Sequence, residues 1–342
     1  MTKYSGVHFD VTLKFLHLPI GALVILNPSL PIVDIRSGTS PIDDPSVAQQ
    51  LDMALQKHGF CYISGHNIAT DNIKTIFDAT HRFHALPGPA KQGIKINPFH
   101  RGYIGFNTST AVTSSVEKPT QPNYSESFMA MQPVFPDHPR WGTAIFGPNQ
   151  WPDSLMPAFK AEVEDYYDAM EYLALELTQR LAVALGQDPY IFDQVFDDPT
   201  VFLRLLHYPA VSALTTADGY GSAPHTDHGF LTLVSQDVAG GLEVLSRDNQ
   251  WIPAVPIPDT FVLNVADMLS YWSGGRWPST PHRVSLSAKE RYSVAFFFDP
   301  TFETQVRPFP SLTRPGDNHS PVHYGNYLMH RFNSNYEYRS TR

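Results

Sequence analysis

Short apolar runs alternate with amphipathic stretches in the first part of the chain. The apolar runs over residues 30–35 and 60–63 predict strands. Apolar residues recur at helical spacing over 47–55 and 73–83, and Gly59 stands where the first of these helices would end. The pattern therefore predicts two short strands, each followed by a helix.

The middle of the chain combines an irregular segment with a long helix. Residues 99–157 hold too many prolines for long elements, and irregular segments of this length are often functional. From about Pro157 to Leu185, apolar residues follow one helical stripe, and Gly186 marks its end. We expect this helix to pack against a sheet.

After residue 200 the apolar pattern changes to period two. It predicts strands over 201–208, 230–235, 242–245, 261–265 and 291–298. Many short strands with frequent turns are typical of a sandwich or a jelly-roll barrel. The expected fold class is α+β with a mostly β core, in which the N-terminal helices pad a barrel and a last helix covers 324–332.

The composition is that of a folded, loop-rich protein. The chain has 342 residues, of which 42% are hydrophobic and 17% charged. Its 24 Lys and Arg against 33 Asp and Glu give a net charge of -9, which disfavours nucleic acid as a partner. The single cysteine, Cys61, excludes intramolecular disulfides and thiolate metal sites and fits a reducing, cytoplasmic setting. Any metal must therefore be held by His and carboxylate side chains.

An apolar run near the start does not indicate a membrane protein. Residues 18–26 give about half of the ~20 residues that a membrane span needs. Pro19 and Pro28 bracket the run, and no small-residue cleavage site follows it. We interpret it as an early strand or a packed extension, with no membrane partner.

One short motif places a histidine and an aspartate two residues apart. His225 and Asp227 lie at the entry to a predicted strand, where alternate residues share a face and would point into a barrel. A second pair, His8 and Asp10, shows that such spacing also arises by chance. His282 begins another apolar run 55 residues after the aspartate. Two imidazoles and one carboxylate match the facial set of non-haem Fe(II) sites, although an open zinc site uses the same ligand types.

A second pair separates these two metals. Arg291 and Ser293 share one face of the predicted last strand of the β half, nine residues after His282 and in the same predicted sheet. A guanidinium and a hydroxyl together are suited to bind a carboxylate. The pair therefore predicts a carboxylate co-substrate beside the metal ligands.

These residues belong to a longer series of motifs. From about Leu30 to near Tyr336 the chain resembles the iron(II)- and 2-oxoglutarate-dependent oxygenases of the isopenicillin N synthase-like type. The matching stretches include His58-Gly-Phe-Cys-Tyr62, Arg101-Gly-Tyr103, His225-Thr-Asp227, Gly240-Gly-Leu-Glu-Val244, Asn264-Val-Ala-Asp267, Ser279-Thr-Pro-His-Arg-Val284 and Arg291-Tyr-Ser293.

The resemblance implies a distorted double-stranded β-helix, or jelly roll. It implies Fe(II) at the two histidines and the aspartate named above, with 2-oxoglutarate and O2 as co-substrates. Arg291 and Ser293 would hold the distal carboxylate of 2-oxoglutarate, and Tyr208 matches a tyrosine that contacts it in many relatives. Leu206 departs from the pattern, because relatives commonly carry an asparagine there.

The resemblance also implies the type of reaction. We expect oxidation of a C–H bond in a small metabolite, by hydroxylation, desaturation or ring rearrangement, with release of succinate and CO2. A pocket for an apolar or aromatic substrate is predicted at Tyr103, Phe106, Tyr124, Phe128, Phe230 and Phe298. The close alternative is an iron-dependent oxidase of the same fold that does not use 2-oxoglutarate. A metal-free binding protein and a zinc hydrolase are more distant ones.

The sequence divides into four expected regions. Residues 1–29 form an N-terminal extension, and 30–155 form the helical and loop region of the oxygenase fold. Residues 156–310 hold the backing helix and the catalytic jelly roll, and 311–342 hold a C-terminal helix and tail. The sequence gives no oligomeric state.

Overall fold

Short strands alternate with helices in the first part of the chain. The computed structural model describes residues 30–36, 44–117, 119, 121–211, 219–314, 316 and 319–340, so the predicted extension over 1–29 lies outside the described residues. The first elements are β1 (Ile32–Asp34), α1 (Pro45–His58), β2 (Phe60–Ser64), α2 (Thr70–His84), α3 (Gly88–Gln92), β3 (Gly102–Ile104) and β4 (Glu126–Met131).

A long helix, α4 (Phe159–Ala184), joins this part to a region rich in strands. The strands predicted after residue 200 are found, with bounds that differ by one residue at most. The remaining elements are β5 (Thr200–Tyr208), β6 (Tyr220–His225), β7 (Leu231–Gln236), β8 (Leu242–Leu245), β9 (Trp251–Pro253), β10 (Thr260–Val265), α5 (Asp267–Trp272), β11 (His282–Ser285), β12 (Arg291–Asp299), β13 (Gln305–Val306), β14 (Val322–His323), α6 (Tyr324–Asn335) and α7 (Glu337–Ser340).

Two sheets form the distorted jelly roll that was predicted. The larger sheet has the order β1-β2-β10-β7-β12-β5-β4-β3, and the smaller one has the order β6-β11-β8-β9. Apart from the parallel β1–β2 pair, neighbours in both sheets run antiparallel. Leu206 and Tyr208 of the larger sheet pack with Leu242, Val244 and Val284 of the smaller one in one apolar cluster. This cluster fills one end of the space between the sheets.

The helices pad the outer face of the larger sheet, as expected. Helices α2 and α4 contact β12, and α1 packs on α4. Tyr167 of α4 meets Phe296 of β12 edge to face, with ring centroids 5.7 Å apart. This packing leaves the inner face of β5 and β12 free for a site. Within the described residues, no helix combines the length and apolar character that crossing a bilayer requires.

Gly59 couples the end of α1 to the segment that precedes His282. It adopts φ +65°, and a Cβ there would lie 2.3 Å from the Pro278 carbonyl oxygen and 2.4 Å from Thr280 Oγ1. Gly186 has a similar φ of +70° but open space around it. Only glycine combines this backbone conformation with so close an approach.

We expect Gly59→Ala to lower the free energy of unfolding by clearly more than Gly186→Ala. The control carries only the left-handed backbone cost of about 1–2 kcal/mol, whereas Gly59→Ala adds a clash with backbone. Urea unfolding of both variants measures the difference. Equal losses of unfolding free energy in the two variants would show that the Pro278–Thr280 segment can move away from the added methyl group without an energetic cost.

Candidate metal centre and co-substrate site

His225, Asp227 and His282 come together at one end of the smaller sheet. His225 is the last residue of β6 and lies opposite His282, the first residue of β11. Asp227 lies in the loop between β6 and β7, so the expectation that one strand would carry both members of the motif is wrong. The three ligand atoms nevertheless lie within 4.8 Å of one another.

The two imidazoles are fixed by backbone carbonyls. His225 Nδ1 donates to the Ala223 carbonyl oxygen at 2.7 Å, and His282 Nδ1 donates to that of Thr280 at 3.2 Å. These bonds place the proton on Nδ1 in the neutral ring and leave the Nε2 lone pair free. Burial, and then the facing His282, lower the pKa of His225 to about 4, which keeps its imidazole neutral.

Asp227 is oriented by two hydrogen bonds to a single oxygen. Thr232 Oγ1 donates to Oδ2 at 2.6 Å, and Asn264 Nδ2 donates to the same atom at 2.8 Å. Burial alone would raise the pKa of Asp227, but the imidazoles of His282 and His225 and these two bonds hold it below its usual value. The carboxylate is therefore ionised, and its other oxygen, Oδ1, faces the imidazoles.

The donor set fits a metal ion. Asp227 Oδ1 lies 3.7 Å from Nε2 of His225 and 3.7 Å from Nε2 of His282, too far for hydrogen bonds. Two imidazole lone pairs and one carboxylate oxygen thus converge with no proton between them. Such a buried set is stabilised by a cation, and these ligand types on one side suit Fe(II).

A second group with metal-ligand residue types lies elsewhere and does not fit an ion. His84, Glu126 and His207 also bring ligand atoms within 4.8 Å of one another. Lys91 Nζ, however, lies 3.0 and 2.8 Å from the two carboxylate oxygens, and Tyr103 donates to Oε2 at 2.5 Å. An ammonium already occupies the place that a cation would take.

Hydrogen bonds dominate the ionisation of Glu126. Burial alone would raise its pKa, but the bond from His207, the imidazole of His84 at 3.4 Å, and the bonds from Lys91 and Tyr103 hold that pKa well below its usual range. The buried cluster is therefore a charged network that joins α2, α3 and β3 to β4 and β5.

We expect Glu126→Gln to destabilise the protein by about 3–5 kcal/mol, because it leaves the buried Lys91 ammonium without its counter-charge. The free energy of unfolding in urea measures this loss. The matched control is Asp78→Asn, which breaks the exposed pair with Lys74 and should cost about 0–1 kcal/mol. A small loss in both would mean that Lys91 releases its proton or reaches water.

Arg291 and Ser293 lie on one face of β12, which belongs to the larger sheet. The expectation that they share a sheet with His282 is therefore wrong, because β11 belongs to the smaller sheet. Arg291 is 3% exposed; its Nε donates to the Gly240 carbonyl at 2.6 Å, and its NH1 donates to Ser293 Oγ at 2.9 Å. The guanidinium stacks over the ring of Tyr208 at 4.6 Å. Among the described residues, no carboxylate pairs with this buried cation, which is therefore free to bind one.

The residue opposite Ser293 is Leu206, the position where relatives commonly carry an asparagine. It is 7% exposed and belongs to the apolar cluster between the sheets. An aliphatic side chain offers no hydrogen bond there. Polar contacts in this part of the site therefore come from Arg291, Ser293 and Tyr208.

A cavity of about 90 Å³ opens beside the candidate metal ligands His225 and Asp227. Its lining joins polar groups to an apolar wall from β4, β5, β12 and α6. The residues are His100, Met129, Phe202, Arg204, His225, Asp227, His228, Phe297, Asp299, Leu328, Phe332 and Tyr336. The cavity is smaller than the roughly 300–1,000 Å³ of pockets for drug-sized ligands, so it fits a small molecule or one end of a larger one.

The six aromatic residues predicted for the substrate pocket do not line this cavity. Phe128 and Phe298 lie on the helix side of the larger sheet, where they meet Phe159 and Phe196. Their strand neighbours Met129 and Phe297 line the cavity instead, because successive residues of a strand point to opposite faces.

The other four also lie outside the cavity lining. Tyr103 binds Glu126 in the buried network, and Phe230 packs on Trp272. Phe106 and Tyr124 contact each other, with ring centroids 5.7 Å apart, and Tyr124 is 37% exposed.

Some of the cavity-lining residues that the sequence analysis did not predict could have been predicted. On β5, Phe202 and Arg204 share the face of Leu206 and Tyr208, so extending that period-two pattern by two steps would have found them. Phe332 lies on α6, and the local sequence of that helix does not show where it packs against the barrel.

Arg331 joins helix α6 to the loop that carries Asp227. Its Nε donates to His228 Nδ1 at 3.1 Å, and its NH2 lies 3.3 Å from the carbonyl oxygen of Thr226, between the two ligands of the motif. Asp267 pairs with the same guanidinium at 3.8 Å. The C-terminal helix therefore covers the cavity and contacts the loop that carries Asp227.

Comparisons with known proteins agree with this geometry. The model of the non-haem dioxygenase N-terminal region, described for morphine synthesis, matches residues 30–154, and that of the 2OG-Fe(II) oxygenase superfamily matches residues 199–300. Homoarginine-6-hydroxylase of Glycine max is 34% identical, over 90% of this chain and 97% of that protein. The 2-oxoglutarate-dependent dioxygenase citB of Monascus ruber is 34% identical, over 90% and 95%.

Solved structures give the same result. A full-length Neurospora crassa protein in complex with alpha-KG and thymine superposes with a TM-score of 0.76 and 28% identity, over 88% of this chain and 96% of that chain. The family models, the sequence relatives and this fold match favour the oxygenase over the metal-free binding protein and the zinc hydrolase. The chain belongs to the 2OG-Fe(II) oxygenase superfamily and is a 2-oxoglutarate-dependent dioxygenase that uses Fe(II).

Proposed function

We propose that this dioxygenase holds Fe(II) at His225, Asp227 and His282 and oxidises a C–H bond of a small, largely apolar or aromatic metabolite. The observation that carries the proposal is the convergence of two imidazole lone pairs and one carboxylate oxygen beside a cavity with a mostly aromatic and aliphatic wall. The bound iron supplies oxidation of an unactivated C–H bond by O2, coupled to decarboxylation of 2-oxoglutarate to succinate and CO2.

The protein side chains bind and orient the reactants. Arg291 and Ser293 would hold the distal carboxylate of 2-oxoglutarate, with Tyr208 packed against the guanidinium. Thr232 and Asn264 keep one oxygen of the aspartate occupied, so that its other oxygen faces the metal position. The apolar wall of the cavity excludes water from the oxidised carbon.

The outcome of the oxidation is hydroxylation, desaturation or ring rearrangement. The names of the relatives point to different substrates, since one is a homoarginine-6-hydroxylase and another is the clavatol oxidase claD of Penicillium crustosum. The Neurospora crassa structure contains thymine. No single one of these substrates carries over, and the wall of this cavity is what supports an apolar or aromatic body.

The proposal also covers the division of the chain into regions and its cellular location. The family matches over 30–154 and 199–300 support the proposed division into a helical and loop region and a catalytic core, with the tail after 310 closing the cavity. Cys61 is fully buried, and its burial raises the pKa of its thiol to about 12. An inert single thiol is compatible with the proposed reducing, cytoplasmic location.

An anaerobic titration tests the proposal. Apo-protein is titrated with Fe(II) and then with 2-oxoglutarate, and the weak visible charge-transfer band of a chelated 2-oxo acid is followed. We expect one Fe(II) per chain and a saturable band, and after admission of O2 we expect succinate. A protein that binds Fe(II) but forms no band with 2-oxoglutarate, or one that binds no Fe(II), would overturn the proposal.

A further inference from the structure

Arg204 is a cation in the cavity whose donors are mostly uncommitted. It is half-buried on β5, and its Nε donates to Ser127 Oγ at 2.9 Å. Among the described residues, no carboxylate pairs with it, and neither terminal nitrogen has a hydrogen-bond partner. The buried Arg101 differs, because its terminal nitrogens donate to the carbonyls of Gln132 and Ile145.

The acids that line the same cavity are already engaged. Asp299 accepts from the Phe230 N–H at 3.0 Å and from the Tyr324 hydroxyl at 2.6 Å, which uses both oxygens. Asp227 faces the imidazoles and its two hydrogen-bond donors. A half-buried guanidinium that lacks a counter-charge is stabilised by an anion, so this site favours an anionic ligand.

Arg204 lies apart from the pair that would hold 2-oxoglutarate. It lies opposite Ala295 on β12, two residues beyond Ser293 and four beyond Arg291. At the usual rise of a strand these offsets correspond to roughly 7 and 14 Å along it. The described residues that line the cavity include Arg204 but not Arg291 or Ser293. The two arginines are therefore placed for two different anions.

We propose that Arg204 binds a carboxylate of the primary substrate, which makes that substrate a small aromatic or unsaturated carboxylic acid. The planar fork of a guanidinium matches a carboxylate with two parallel hydrogen bonds. Phe202, Phe297 and Phe332 would enclose the apolar body next to it. The inference rests on the proposed function, because it assumes that the cavity beside the metal ligands takes the substrate.

Pairs of acids and amides test this assignment. The protein is first saturated with Fe(II) and 2-oxoglutarate without oxygen, and the visible band is recorded. Benzoate, phenylacetate and cinnamate, and the amide of each, are then titrated by calorimetry. We expect at least one acid to bind at least tenfold more tightly than its amide. Arg204→Gln should remove this preference by weakening the acid, Arg204→Lys should keep part of it, and Arg82→Gln, in an exposed pair with Glu162, should keep all of it.

Each other outcome has a distinct meaning. A wild-type protein with the visible band but no acid preference in any pair, including one that binds none of the acids, overturns the role of Arg204 and leaves the proposed function intact. A preference that persists in Arg204→Gln overturns it as well. If that variant instead needs at least tenfold more 2-oxoglutarate to form the band, the guanidinium serves the co-substrate. Absence of the band in the wild type overturns the proposed function itself.

Discussion

Replacing Asp227 by alanine is expected to lower Fe(II) affinity by at least about 100-fold and to abolish succinate formation. The carboxylate is the anionic member of the proposed ligand set, and its Oδ1 lies 3.7 Å from Nε2 of each imidazole. Even loss of an outer hydrogen-bond partner of a metal ligand typically costs 10- to 100-fold in metal affinity or activity, so loss of a ligand should cost more. Equilibrium dialysis against Fe(II), read without turnover, measures the affinity directly.

A graded series makes this result specific. Asn264→Ala removes one of the two hydrogen bonds that orient the carboxylate, and it should weaken Fe(II) by about 10- to 100-fold. His84→Gln is the matched control, because it alters the other group of metal-ligand residue types and should leave Fe(II) binding unchanged. Strong Fe(II) binding by Asp227→Ala together with weak binding by His84→Gln would move the iron to the buried network around Glu126.

The sequence carried enough information to propose three candidate metal ligands but not to show how they come together in the fold. His225 and Asp227 were recognisable because their spacing is short, and His282 and Arg291 because each opens an apolar run. The pairing of β6 with β11, which sets His225 opposite His282, joins residues 57 positions apart and depends on the whole barrel. A period-two pattern alone also cannot show that a loop and not a strand carries the aspartate.

The residues predicted for a substrate pocket do not line the cavity described above, for a related reason. Phe128 lies in the irregular segment over 99–157 and Phe298 follows Arg291 and Ser293 closely, but a shift of one residue along a strand moves a side chain to the other face. The faces can be assigned only once Arg291 and Ser293 define the inner one. Arg204 was overlooked because a lone arginine on a strand is ordinary, and its significance lies in the absence of a described acidic partner.

Arg291→Ala is expected to raise the 2-oxoglutarate concentration needed for half-saturation by roughly 100-fold. Hydrogen bonds to charged groups contribute about 1.5–3 kcal/mol each, so loss of a two-bond contact to a carboxylate costs at least about 3 kcal/mol. At 1.4 kcal/mol per tenfold, that lower figure is roughly 100-fold in affinity. The anaerobic charge-transfer band measures co-substrate binding separately from catalysis. Fe(II) affinity should stay close to that of the wild type, because Arg291 does not contact the three proposed ligands.

Two companion variants separate loss of the contact from loss of the fold. Arg291 is 3% exposed and also donates to the Gly240 carbonyl, so its removal could disturb the loop before β8. Ser293→Ala deletes only a hydroxyl that accepts a hydrogen bond from the guanidinium. Loss of one hydrogen bond costs about 1 kcal/mol, so we expect the half-saturating 2-oxoglutarate concentration to rise about fivefold. Arg291→Lys keeps the charge but loses the fork, and it should fall between the other two. If all three variants bind 2-oxoglutarate like the wild type, its distal carboxylate lies elsewhere. If Arg291→Ala binds it most weakly, Arg291→Lys more tightly and Ser293→Ala most tightly of the three, the paired contact with Arg291 and Ser293 accounts for the binding.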